Sequence, residues 1–185
     1  MATKHRRMKF GSKKKELYSL WLMPSGQTAV QLQGLIEKLS SEYSTPTFQP
    51  HVTLAGEINL SERVAINKTS ELAAKVRPLK IELSAVAHLD EYFRCIFIKA
   101  RRTQNLLNAH SIARVVFGTE NGEKYMPHLS LIYGDLNRQT KENIIKNIGC
   151  NIDILFVAKE LFLYHTAGQP KDWYCVSKRP LAGNS

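Results

Sequence analysis

Two heptapeptides hold the residues of this chain whose types and spacing could do chemistry. Phe48-Gln49-Pro50-His51-Val52-Thr53-Leu54 and Tyr125-Met126-Pro127-His128-Leu129-Ser130-Leu131 share the order aromatic, any residue, proline, histidine, apolar, hydroxyl, leucine. On a strand, an imidazole and a hydroxyl two residues apart project from one face, roughly 7 Å from each other, while the apolar residues beside them point into a core. Proline lacks a backbone donor and keeps the residue before it extended, which suits the start of a strand. Each histidine then opens its strand.

A single histidine of this kind carries little information, but two in matching contexts can be brought face to face. Paired about a pseudo-twofold axis, the two strands would place two imidazoles and two hydroxyls in one cleft. That set suits phosphoryl chemistry without a metal. Histidine's ordinary pKa near 6.5 lets one ring take a proton from water while the other gives one to a leaving oxygen. His51 and His128 are thus the candidate acid–base pair, and Thr53 and Ser130 the candidate donors to phosphoryl oxygens.

Other chemistries fit less well. His-x-Thr and His-x-Ser each offer zinc one strong ligand beside a neutral hydroxyl, and no H-E-x-x-H occurs. There is no G-x-S-x-G elbow and no Walker loop. His88, His110 and His165 lack the motif context and read as structural or surface residues, and His5 lies in a basic tail. Trp21, Trp173, Tyr18 and Tyr164 could stack a base but read as core. Cys95, Cys150 and Cys175 are odd in number and form no C-x-x-C pair, so buried structural thiols are expected.

The elements that must position the motifs follow from hydrophobic period and turn chemistry. A strand over Glu16–Met23 ends at Pro24-Ser25-Gly26, and a helix capped by Thr28 carries Val30, Leu32, Leu35, Ile36 and Leu39 to about Tyr43. The first heptapeptide opens a strand ending near Ile58, and Ser61 caps a second helix that Arg77-Pro78 stops. Leu79–Val86 and Arg94–Ala100 form a hairpin; Thr103 caps a third helix, through Val115, that ends at Gly118. The second heptapeptide follows a polar loop, then a helix over Arg138–Asn147, a long strand region over Ile152–Tyr164 and a short strand over Asp172–Ser177. Strand, helix and heptapeptide thus recur in the same order. The expected class is α+β: two similar lobes, each an antiparallel sheet with flanking helices, related by a pseudo-twofold axis around a central cleft.

The 185 residues, 43% of them hydrophobic, suit one globular unit. Residues 1–15 supply seven of the ten net positive charges without any apolar period, and read as a disordered basic tail ahead of a mildly basic domain over 16–185. No apolar run approaches the roughly 18 residues of a membrane span. A soluble, cytoplasmic monomer is expected.

With these residues in place, the chain resembles the two-histidine phosphoesterases, and within them the cyclic phosphodiesterases. The resemblance rests on Leu17-Tyr18-Ser19-Leu20-Trp21, on both heptapeptides with the following Ile132-Tyr133, and on Trp173. It implies a bilobal fold that hydrolyses nucleoside 2′,3′-cyclic phosphates or ADP-ribose 1″,2″-cyclic phosphate, such as arise in tRNA splicing, with no metal and no cofactor. His51 and His128 are then catalytic, His128 preferred as base and His51 as acid, with Thr53, Ser130 and Tyr133 around the phosphate. Tyr133, the fifth residue after His128, would face away on a regular strand, so it requires a bulge or the strand's end. Plant members pair cysteines near the cleft, a pattern this chain does not match. The competing expectations are an enzyme acting on RNA ends or 2′,5′-linked oligonucleotides and, further off, a non-catalytic RNA-binding module.

Overall fold

The computed structural model describes residues 16–119 and 124–182; the basic tail falls outside them. Eight strands form one antiparallel sheet in the order β6-β3-β4-β5-β2-β1-β7-β8. They are β1 (Tyr18–Leu22), β2 (Val52–Ile58), β3 (Leu79–His88), β4 (Ile96–Ala100), β5 (His128–Ile132), β6 (Asn151–Ala158), β7 (Glu160–His165) and β8 (Tyr174–Pro180). Four helices accompany them: α1 (Gly26–Tyr43), α2 (Glu62–Lys75), α3 (Gln104–Phe117) and α4 (Arg138–Ile148).

The two expected lobes are the two halves of this sheet, β6-β3-β4-β5 and β2-β1-β7-β8. Their joint is the β2–β5 ladder, whose register rests on the single pair Val52↔Leu129. Helix placement obeys the same twofold relation. α1 packs on β5 and α3 on β2, so each crosses to the opposite half, while α2 covers β7 and β8 and α4 covers β3.

The region expected as one long strand is two. Lys159 alone separates β6 from β7, yet the sheet places five strands between them. One residue covers at most about 3.6 Å, so the sheet must curl until its β6 edge returns towards β7. The Leu181 amide, which donates to the Lys159 carbonyl at 2.9 Å, holds that corner.

Local signals explain most of the helix ends. Thr103 and Asn137 accept the Leu106 and Thr140 amides as side-chain caps, and Gly118 closes α3 in the left-handed region at φ 71°. α1 starts earlier than expected, at Gly26 rather than after Thr28, and Gly26 itself takes φ 58°, which suits a residue with no Cβ. Val30 and Val115 lie outside the apolar stripes and are exposed. The last strand also shifts, since Pro170–Asp172 forms a 3₁₀ turn and pairing begins at Tyr174.

The core runs through both halves. Leu20, Leu22, Val52, Leu54, Leu129 and Leu131 are fully buried, together with Leu32 and Ile36 of α1. Each such side chain contributes about 1.5–3 kcal/mol through removal from water. Of the cysteines only Cys95 is buried; Cys150, beside the Gly149 turn, and Cys175, on β8, are exposed, which corrects the expectation of three core thiols.

Candidate active site

The register pair Val52↔Leu129 fixes the geometry of the site. Continuing it one residue either way sets His51 across from Ser130 and Thr53 across from His128, with directly opposed Cβ atoms about 5 Å apart. All four side chains share the face opposite Val52 and Leu129 and line one cleft of about 240 Å³. The geometry thus brings together His51, His128, Thr53 and Ser130, and Tyr133 lines the same cleft.

Tyr133 reaches the cleft by a route the sequence could only name as a requirement. Ser130 pairs with Phe97, but Ile132 already pairs with Ile96, so Leu131 is an extra residue in β5. The first heptapeptide does the same: Thr53 pairs with Trp21 and Ala55 with Leu20, leaving Leu54 extra. A bulge of this kind reverses the alternation of faces beyond it. The fifth residue after each histidine therefore returns to the cleft side. In one half that residue is Tyr133, in the other Gly56, and both line the cleft.

Both imidazoles are held alike. His51 Nδ1 lies 2.6 Å from the Gln49 carbonyl and His128 Nδ1 lies 2.9 Å from the Met126 carbonyl, in each case two residues upstream. A carbonyl only accepts, so Nδ1 carries the hydrogen and Nε2 is the exchanging nitrogen. Burial lowers the pKa of His51 to about 4, against the opposing bond to Gln49 and with a smaller push from His128. Burial also lowers His128, with the bond to Met126 opposing and Arg94 adding to the fall. Held below the ordinary histidine value in this way, both rings are neutral at pH 7.

The surroundings of the two rings differ. Trp21 lies flat on His51, centroids 3.6 Å apart and planes 8° from parallel, and Tyr164 stacks on the indole's other side. Phe97, which holds the corresponding place beside His128, meets it edge-on at 5.1 Å. The expectation that Trp21 and Trp173 serve only as core is corrected here, since both line the cleft. Phe93, in a 3₁₀ turn between β3 and β4, is half exposed at the cleft and was not singled out by its sequence. Glu57 and Gly56 were equally silent, because no local pattern marks a residue beyond a bulge.

Supporting contacts account for the motif aromatics. Tyr125 donates its hydroxyl to the Thr53 carbonyl at 3.0 Å and stacks on His110, whose Nδ1 reaches the Leu54 carbonyl at 2.7 Å. Phe48 stacks on Tyr133 with centroids 3.7 Å apart. Ser130 donates to the Phe93 carbonyl at 2.9 Å. Burial raises the Tyr133 phenol far above its ordinary range, so it stays a neutral donor. Among the described residues no group of three His, Cys, Asp or Glu side chains could hold a metal ion, and no helix is long and apolar enough to cross a membrane.

The family described as cyclic phosphodiesterase-like protein matches residues 17–179. A cyclic phosphodiesterase of Arabidopsis thaliana is 29% identical over 70% of this chain and 72% of its own length. A 2′,3′-cyclic-nucleotide 3′-phosphodiesterase of Phaeosphaeria nodorum is 32% identical over 63% of this chain and 68% of its own. In fold, the crystal structure of TT0787 of Thermus thermophilus aligns with a TM-score of 0.67 at 15% identity, covering 91% of this chain and all of that one. E. coli LigT complexed with 3′-AMP aligns with a TM-score of 0.58 at 11% identity, over 90% and 98% of the two chains.

Proposed function

The chain belongs to the cyclic phosphodiesterase-like family and is a phosphodiesterase, and from that premise we propose that it opens nucleoside 2′,3′-cyclic phosphates to nucleoside 2′-phosphates by metal-independent acid–base catalysis. ADP-ribose 1″,2″-cyclic phosphate belongs to the same chemical class. The observation that carries the reading is the pair of bulged heptapeptides, which sets His51 and His128 with Thr53 and Ser130 on one face of the β2–β5 joint. The 2′,3′-cyclic-nucleotide 3′-phosphodiesterase relative supports the nucleoside as the carrier of the cyclic phosphate.

In the proposed step a water oxygen attacks phosphorus in line with O3′. His128 Nε2 takes the water's proton as the P–O bond forms. The P–O3′ bond breaks, and His51 Nε2 gives its proton to O3′, so the phosphate stays on O2′. Thr53, Ser130 and Tyr133 donate to the non-bridging oxygens, where charge grows. Ser130 must turn its hydroxyl from the Phe93 carbonyl to do so.

The order of roles has a physical basis. The indole face on His51 favours imidazolium over imidazole. Burial disfavours it, and the anionic phosphodiester offsets that burial on binding. His128 has no such stacked partner and supplies the neutral ring. Phe93 offers an exposed face on which a base can stack.

The test is direct. Adenosine 2′,3′-cyclic phosphate incubated in EDTA is expected to give the 2′-phosphate, identified by phosphorus NMR. His51→Ala and His128→Ala should each lose at least about 10²-fold in kcat, the usual size of an acid–base contribution. Full activity in either variant overturns the proposal. A substrate with sulfur in place of O3′, whose leaving group needs no proton, should rescue the His51 variant and not the His128 variant.

A further inference from the structure

One charge in the cleft has no part in the chemistry above. Among the described residues that line it, Glu57 alone carries a fixed charge, and neither a lysine nor an arginine does. For a cleft that receives an anion this is an unusual wall. The nearby cation that acts on His128, Arg94, is engaged by Glu91 through both Nε, at 2.6 Å, and the guanidinium's second nitrogen.

Glu57 is also set with some care. It is exposed, immediately follows Gly56, and stands at φ 56°, in the left-handed region that favours glycine. The pseudo-symmetric position in the other half is Gly134. Where a glycine would relax the backbone, β2 keeps a carboxylate. Gly56 beside it presents no side chain, whereas its counterpart Tyr133 fills the corresponding space, so the Glu57 side of the cleft is the open one.

We propose that Glu57 is a specificity-determining residue that selects cyclic phosphates carrying no second phosphate nearby. The proposal rests on the cyclic phosphodiesterase reading and narrows its substrate class. The single charge of a cyclic phosphodiester is met by the histidine proton and the hydroxyl dipoles. A further phosphate, whether a 5′-phosphate, the pyrophosphate of ADP-ribose or the next linkage of an RNA end, meets Glu57 with no lysine or arginine among the described lining residues to balance it. At about 8 Å in a dielectric near that of water, one added charge costs a factor of about two to three in binding. The two charges of a 5′-phosphate cost about fivefold. A free nucleoside 2′,3′-cyclic phosphate pays none of this.

The experiment compares kcat/KM for adenosine 2′,3′-cyclic phosphate and its 5′-phosphorylated counterpart, in the unaltered chain and in Glu57→Gln and Glu57→Lys. At low salt the unaltered chain should prefer the 5′-hydroxyl substrate by about fivefold. Glu57→Gln should bring the ratio close to one, Glu57→Lys should invert it, and 0.5 M salt should shrink all three differences. A ratio unmoved by both substitutions overturns the proposal. So does a Glu57→Gln variant that loses turnover chiefly on the 5′-hydroxyl substrate, since the carboxylate would then be holding the nucleoside. Turnover of neither substrate by the unaltered chain would instead remove the reading on which the proposal stands.

Discussion

Trp21 lies parallel to His51 at 3.6 Å, and the same residue is the register partner of Thr53 across the β1–β2 ladder. One residue therefore adjoins both the histidine and the hydroxyl of the first heptapeptide. Trp21→Leu removes the aromatic face that favours the imidazolium, an effect of about 0.5–1 kcal/mol or 0.4–0.7 of a pH unit. With His51 as the acid, the alkaline limb of the kcat profile moves down by that amount. The equivalent change beside His128, Phe97→Leu, should leave that limb in place. A pH–rate series on the two variants checks the difference.

Stability should depend on pH through the same ring. His51 titrates near 4 in the folded chain and near 6.5 when unfolded, so the unfolded chain binds its proton more readily. Stability is then full above about pH 6.5 and falls as pH drops towards 4, by up to about 3 kcal/mol from this group. His128, lowered in the same direction, adds to the fall. Urea midpoints at several pH values check this, and His51→Gln should flatten the slope between 6.5 and 4.

How much of this could be read beforehand is clearest at the motifs themselves. The His-x-Thr and His-x-Ser spacing, the helix caps at Thr103 and the glycine stop at Gly118 are local, so they were legible. The extra residues at Leu54 and Leu131 were not, because a bulge is a mismatch between two ladders and neither strand shows it alone. With the bulges went Gly56, Glu57 and the placement of Tyr133. The break at Lys159 was hidden for a related reason: both sides are apolar and strand-forming, and only the curl of the sheet sends them to different halves. Trp21 reads as core by composition, and it is buried; that its face meets a histidine depends on pairing with β2.

Tyr125 tests whether the second heptapeptide supports the first. Its hydroxyl donates to the Thr53 carbonyl across the joint. Tyr125→Phe leaves that carbonyl without this donor, which should cost about 1 kcal/mol of stability. If Thr53 is positioned by the contact, kcat should fall while KM changes little. Denaturant unfolding and steady-state kinetics on one preparation separate the two effects.

Gly56 offers the complementary test of the open side. A Cβ there would sit 3.6 Å from Thr53 Cγ2 and 3.9 Å from Ser19 Oγ, ordinary contact distances. Gly56→Ala should therefore fold with stability within about 0.5 kcal/mol of the original. Gly56→Tyr, which copies Tyr133 into the other half, should raise KM for cyclic nucleotides several-fold with a smaller effect on kcat. Steady-state measurements on both variants decide it.

The β2–β5 joint, with its single register pair, has a mechanical meaning. A ladder that thin is no beam, so the spacing of the two imidazoles is borne by α1 and α3, each anchored in one half and laid across the other like crossed straps. The distance between His51 and His128 is thereby set from the far side of the sheet. Cavities cut under Ile36 or Ala109, both buried, loosen the grip between the halves and with it the alignment of His51 with His128.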